Sequence, residues 1–129
     1  MERVQGIGGI FLRATDREAL GAWYRDHLGL DLDASWWGTS IRWADQHAAS
    51  EATTVFSLFA DDTAYFGPRA KTFMLNFRVK DLDAMLAQLR AAGCDVDPKH
   101  DDSEYGKFGW VTDPEGNRVE LWEPPSEGA

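Results

Sequence analysis

The sequence predicts an α+β fold, with two βαβββ modules in one domain and curved mixed sheets around a concave cavity. Three observations predict it. A strand–helix unit is written twice at a constant offset, each copy is followed by strand-like segments, and the strand residues divide into an apolar face and a mixed one. A repeat near half the chain length fixes which positions are structurally equivalent, so it ranks ahead of any single residue.

Ile10-Phe11-Leu12-Arg13-Ala14 reads as a short strand. Asp16 then caps a helix through Leu28 that stops at Gly29, with Leu20, Trp23, Tyr24 and Leu28 at helical spacing. The second copy has a strand from Met74 to Val79, a cap at Asp81, and a helix marked by Leu82, Met85, Leu86 and Leu89 that ends at Gly93. Arg13 matches Arg78 and Asp16 matches Asp81, 65 residues on in both cases. Strand-like segments follow at 36–43 and 53–59 in the first half, and at 95–97, 109–112 and 117–122 in the second. Module one spans about 7–66, module two about 70–124, and 125–129 is a frayed tail. The sharpest local signal is Asp113-Pro114-Glu115-Gly116. Asp opens a type I turn, Pro presets the next φ, and Gly supplies the positive φ that a hairpin needs.

The length, 129 residues with 43% hydrophobic, suffices for one core and not for two independent ones. Thirteen basic against 22 acidic residues give a net charge of −9, which repels phosphate backbones and anionic lipid. Nucleic acid and membrane are therefore not expected partners, and a basic or cationic one suits the charge. The single cysteine, Cys94, excludes an internal disulfide and a cysteine-built zinc site, and suits a reducing, cytoplasmic compartment. The start Met1-Glu2-Arg3-Val4-Gln5-Gly6 does not read as a signal peptide, and no stretch approaches the roughly 18 apolar residues of a membrane span.

Strand side chains alternate, so helices on one side of a sheet claim every second residue. Ile10 and Leu12, then Leu75, Phe77 and Val79, then Val119 and Leu121 fall under the helices. Gly9, Phe11 and Arg13, then Met74, Asn76 and Arg78, then Arg118, Glu120 and Trp122 point to the concave side. Aromatic walls, an amide, a carboxylate and guanidinium groups make the composition of a ligand pocket.

The segment from Ile10 to Gly29, with its Trp23-Tyr24-Arg25-Asp26-His27-Leu28-Gly29, and the run from Asp113 through Gly116, Asn117, Arg118, Val119 and Glu120 to Leu121 resemble the vicinal oxygen chelate superfamily. That superfamily includes glyoxalase I, methylmalonyl-CoA epimerase, extradiol dioxygenases, fosfomycin-resistance enzymes and bleomycin-resistance proteins. The resemblance covers roughly residues 8–124. It implies paired βαβββ modules around a cavity, a homodimer, and a divalent metal held by one residue from the first and last strand of each module, usually His, Glu or Gln. The matching positions are Gly9 and Ser57, then Met74 and Glu120, of which only Glu120 is a typical ligand. A divalent ion needs about three or more imidazole, carboxylate or thiolate donors. No cofactor is therefore expected, and a divalent metal is the alternative if a loop histidine restores the site. The histidines are His27 late in the first helix, His47 in an acidic loop, and His100 beside Asp101-Asp102, none paired at i, i+4.

Glu120 has two readings: a catalytic carboxyl raised in pKa by desolvation beside Trp110 and Trp122, or a structural group paired with Arg13, Arg78 or Arg118. Arg13 and Arg78 are anion-binding groups or strand-end surface charges. Phe11, Trp43, Ser57, Met74, Asn76, Trp110 and Trp122 are the candidate ligand contacts. Large flat side chains hold flat ligands at low entropic cost, whereas Trp23 sits at core spacing. Each tryptophan also reads as filling of the core or of a dimer seam. Gly6-Ile7-Gly8-Gly9 precedes a strand, which argues against a phosphate loop. Residues 104–109 read as a loop over the pocket or as an ordinary connection.

The expected function is a small-molecule-binding protein like the glyoxalase and bleomycin-resistance branch, holding an aromatic or amphipathic ligand without the usual metal. The alternative is a metal-dependent lyase, isomerase or dioxygenase with a rearranged site, where Glu120 is ligand or base aided by Asn76, Ser57 or His100. A third is a structural or regulatory dimer whose concave face is filled by its own side chains.

Overall fold

The computed structural model describes residues 1–28, 30–42, 53–68 and 70–125. The fold class is α+β, with two helices, eight strands, and both parallel and antiparallel pairs among the described residues. The chain divides into two compact units, Gly9–Phe73 and a second made of Met1–Gly8 with Met74–Ala129. Among the described residues, no helix is long and apolar enough to cross a membrane.

The first unit takes up β1 (Val4–Ala14) from Gly9 onward, α1 (Arg17–Leu28), β2 (Gly38–Arg42) and β3 (Thr53–Ala60). Asp16 caps α1, its Oδ1 accepting from the Ala19 amide at 3.0 Å, as Asp at this position should. β1 runs parallel to β3, with Phe11 opposite Ser57, and β2 pairs antiparallel with β3, with Gly38 opposite Ser57. Tyr24 of α1 meets Phe56 of β3 at 5.0 Å between ring centroids, which fixes the helix on its sheet. Two expectations are corrected here. Ile10 is 40% exposed and Trp23 is 49% exposed, so neither is core; Trp23 lies against Tyr24 and His27 on the outside of α1. Helical spacing names a face, and the aromatic neighbours on that face leave this indole at its edge.

The expected strand at 36–43 is also shorter at its start. Trp36 and Trp37 belong to a turn built on Asp33, whose Oδ1 accepts from the Ser35 amide and hydroxyl at 2.9 and 2.7 Å. These bonds hold the Asp33 carboxyl below its ordinary pKa. The Asp33 carbonyl accepts from the amides of Trp36 and Trp37, and Trp37 adopts φ 57°. A bulky residue in this left-handed region stores about 1–3 kcal/mol, which the surrounding bonds must hold. Gly29, Trp43, His47 and residues 126–129 of the tail lie outside the described residues.

The second unit contains β4 (Phe73–Val79) from Met74 onward, α2 (Leu82–Ala91), β5 (Asp95–Val96), β6 (Asp101–Ser103), β7 (Gly106–Thr112) and β8 (Arg118–Glu123). Within it the strand order is β4-β8-β7-β5, with β6 also on β7. Its core is Val79, Leu82, Met85, Leu86 and Leu121, packed by Phe77, Leu89, Val96, Val111 and Val119. The predicted apolar face of β4 and β8 is thus the one covered by α2. A Cβ at Gly109 would stand 3.0 Å from Leu86, so the helix packs directly on the β7 backbone.

The 113–116 turn forms as read: Asp113 Oδ1 accepts from the amides of Glu115 and Asn117, both at 2.9 Å, and Gly116 has φ 83°. β6 was not expected. His100-Asp101-Asp102 reads as a charged loop, yet Asp101–Ser103 pairs with Gly106–Phe108, so Glu104 and Tyr105 are a two-residue hairpin turn and 104–109 is not a loop. Gly106 closes that turn at φ 117°, where a side chain would strike Trp122 and the Glu123 carbonyl. Charged edge strands lack the apolar alternation by which strands are recognised.

Asp81 caps α2, its side chain accepting from the Ala84 amide at 3.0 Å. Asp81→Ala is expected to lower the stability of the domain by about 1 kcal/mol, and Asp81→Asn by much less, as measured by urea unfolding. Equal losses for the two variants would show that the Asp81 side chain does not cap α2.

Candidate functional site

The site is built on the face of the second unit opposite α2. In register, Asn76 of β4 lies beside Glu120 of β8, and Glu120 beside Trp110 of β7. Because Phe77, Val119, Leu121 and Val111 point to α2, alternation sends Asn76, Glu120 and Trp110 to the other side. Asn76 Nδ2 donates to Glu120 Oε1 at 2.6 Å, and Trp110 Nε1 donates to Oε2 at 2.9 Å. All three side chains are at most 2% exposed. A buried carboxylate is tolerated only when its oxygens are hydrogen-bonded, and here each takes an N–H.

The carboxylate also fixes the orientation of the Asn76 amide, since its N–H side must face the acceptor. Its Oδ1 is left buried and, among the described residues, without a hydrogen-bond partner. That oxygen occupies the space where a Cβ on Gly8 would stand, so a glycine is needed there for the amide to lie flat against β1.

Flat groups surround this centre. Arg118 lies over the Trp110 ring at 5.0 Å and donates to Asp97 Oδ2 at 3.0 Å. The Asp97 carboxyl is held below its ordinary pKa, first by the Lys99 amide and then by Arg118. One row along the strands, Trp122 stacks on Phe108 with centroids 6.1 Å apart and 8° between the planes. Its indole N–H reaches the Tyr105 carbonyl at 2.8 Å, and Arg78 lies over the ring at 5.8 Å. Burial lowers the Arg78 pKa.

The structure therefore brings together Asn76, Trp110 and Glu120 by direct bonds, with Trp122 on the same face. Met74, 1% exposed, begins the β4 row that carries Asn76. In the first unit, Ser57 is 4% exposed beside Phe11, and Phe11 packs on Phe59 at 5.2 Å. Trp43 lies outside the described residues. Of the three arginines expected as partners of Glu120, Arg13 has its guanidinium on backbone carbonyls of its own unit, Arg118 pairs with Asp97, and Arg78 lies over the Trp122 ring. The strand pattern alone does not point to Asn76 and Trp110 as the groups that hold Glu120. Phe108 is a further residue of this face, and the signal for it is the alternation of Phe108, Trp110 and Thr112 along β7.

The residues at the metal positions do not fit a divalent ion. Gly9 has no side chain, and a Cβ there would stand 2.9 Å from the Phe11 ring and 3.0 Å from the Val55 carbonyl. Ser57 is a hydroxyl, Met74 a thioether, and both Glu120 oxygens already accept hydrogen bonds from neighbouring N–H groups. Among the described residues, no three His, Cys, Asp or Glu side chains come together as a ligand set.

Two βα modules share the same internal register: Phe11 opposite Ser57 in one, Asn76 opposite Glu120 in the other. That repetition defines a protein of the paired-module, glyoxalase-type class. The chain belongs to the glyoxalase-like domain family, which matches residues 9–122, and so to the vicinal oxygen chelate superfamily. Among solved structures it is similar to methylmalonyl-CoA epimerase from Mycobacterium tuberculosis, at 22% identity and TM-score 0.66, over 96% of this chain and 91% of that one. It is similar to Streptomyces coelicolor methylmalonyl-CoA epimerase (Q60A) in complex with 2-nitronate-propionyl-CoA, at 15% identity and TM-score 0.70, over 96% and 100%. It also resembles a glyoxalase/bleomycin resistance protein/dioxygenase superfamily member from Vibrio splendidus 12B01, at 12% identity and TM-score 0.59, over 95% and 99%. At these identities the likeness is one of fold. No curated protein matches the chain.

Proposed function

We propose that this glyoxalase-like protein binds a small aromatic or amphipathic molecule without the divalent metal of its superfamily. The observation that carries the reading is the bonding of Glu120. The one carboxylate at a family ligand position has both oxygens engaged by neutral N–H donors of its own module. It acts there as a hydrogen-bond anchor that keeps Asn76 and the Trp110 indole in place. The half-buried Phe108–Trp122 stack beside it supports a flat ligand, because rigid rings gain contact area while losing few torsions.

Titration calorimetry with 2-naphthol and a set of aromatic metabolites, with and without EDTA, tests this. We expect saturable one-site binding by at least one of them that is indifferent to EDTA. Trp122→Ala should weaken it by about tenfold, the size of one lost aromatic contact. Stoichiometric Zn²⁺, Ni²⁺ or Fe²⁺ that is retained on dialysis and lost in Glu120→Gln would overturn the proposal in favour of a metal enzyme. Silence toward every aromatic compound would overturn it in favour of a filled, structural face.

A further inference from the structure

A concavity lies wholly within the first unit, between α1 and the segment leading into β2. Its volume is about 480 Å³, within the range of small-molecule pockets. The ligand face proposed above does not include it.

The apolar part of this cleft is Gly21 and Ala22 of α1 facing Leu32 and Trp37. Two sequence choices that disfavour the local backbone meet there. Trp37 sits at φ 57°, where glycine or asparagine is the usual occupant. Gly21 interrupts the interior of a helix, where alanine would be better. A Cβ at Gly21 would stand 3.1 Å from two carbons of the Trp37 ring, so the glycine lets the indole lie directly on the helix backbone. The Asp33 turn, with its bonds from Ser35, Trp36 and Trp37, holds the indole in that position. Strained, over-determined residues of this kind cluster where a ligand is clamped.

Charge decides which ligand. The rim carries Glu18, Arg25 and Asp31, all exposed. Arg25 is already committed: its Nε bonds Asp26 at 3.0 Å, and Asp31 adds to the field that raises its pKa. Glu18 makes no hydrogen bond or ion pair among the described residues. An aromatic face beside an uncommitted carboxylate, on a chain of net charge −9, recognises a cation attached to an apolar body.

We infer that the α1 cleft is a binding site for a small organic monocation with an apolar body, of the aromatic ammonium class. The cationic head lies by Glu18 and the apolar body on the Trp37 indole. This site is separate from the Asn76–Glu120–Trp110 face and does not depend on the function proposed for it.

Titration calorimetry with benzyltrimethylammonium chloride provides the test, with neopentylbenzene as the uncharged counterpart. Wild-type protein should bind the cation saturably at one site, and the neutral compound about tenfold more weakly or not at all. Glu18→Gln should weaken the cation by about tenfold and flatten its salt dependence. Ala34→Leu, which fills the mouth of the cleft, should abolish binding, and Trp122→Ala should leave it unchanged. Glu18 and Ala34 are exposed, so both variants keep the fold, which circular dichroism checks. Absence of saturable binding in the wild type, or binding that survives both Glu18→Gln and Ala34→Leu, would overturn the inference. Loss of cation binding in Trp122→Ala would overturn it too, and would move the cation to the other face.

Discussion

Glu120→Ala is expected to destabilise the protein by about 3–5 kcal/mol, close to the loss seen when one member of a buried polar pair is deleted. The side chain is 1% exposed and its two oxygens accept from Asn76 Nδ2 and Trp110 Nε1. Alanine leaves both donors buried without an acceptor, at about 1–3 kcal/mol each, and leaves a cavity besides. Relief from desolvating the carboxylate offsets part of this, so the two donor terms do not simply add. Glu120→Gln is nearly isosteric but turns an NH2 toward one of the donors, and should cost about 1–3 kcal/mol. The double variant Glu120→Gln, Asn76→Asp reverses the polarity of that one bond while leaving the Trp110 N–H its acceptor. It should therefore recover stability relative to Glu120→Gln alone, a coupling that urea midpoints at constant m-value report. An alanine variant within 1 kcal/mol of wild type, or a double variant less stable than the single one, would refute the network.

How much of this was legible beforehand follows from which forces are local. The repeated strand–helix unit could be read because the same spacing of apolar positions and the same capping Asp recur in both copies, and each copy does fold with a capped helix. The face carrying Asn76, Glu120 and Trp122 could be read too, since alternation is fixed by the pleat. The partners of Glu120 could not. Charge alone points to arginines, but register decides which neighbours lie opposite a strand residue, and it sets the N–H donors of Asn76 and Trp110 there. Trp37 is similar: no local rule puts tryptophan at positive φ, and only the Asp33 turn and the helical Gly21 explain it. β6, written as Asp101-Asp102-Ser103, owes its strand to pairing with β7 and not to its own side chains. The two arginines at equivalent repeat positions diverge for the same reason. Arg78 lies over an aromatic ring, whereas the loop after β3 gives Arg13 carbonyls to bind.

That difference sets the other large expected effect, on Arg13→Ala, at about 2–4 kcal/mol. All three guanidinium nitrogens are engaged. Nε and one terminal nitrogen donate to the Lys71 carbonyl at 3.2 and 2.9 Å, and the other donates to the carbonyls of Asp61 and Thr63 at 2.9 and 2.6 Å. The fork thus ties together both ends of the 61–72 segment, and its Cζ lies 5.3 Å from the ring centroid of Phe66, which is 1% exposed. A hydrogen bond from a charged donor contributes about 1.5–3 kcal/mol net. Four of them do not sum, because the three carbonyls share one cation and regain water once it is gone. Arg13→Lys should recover little, since an ammonium is a point charge and cannot present a planar fork to three separated carbonyls. Loosening of the segment would also expose Phe66, so limited proteolysis of Arg13→Ala should cut first within 61–72, ahead of any site in the second unit. A lysine variant as stable as wild type, or first cleavage elsewhere, would mean that the segment is held by its aromatic packing and not by the guanidinium.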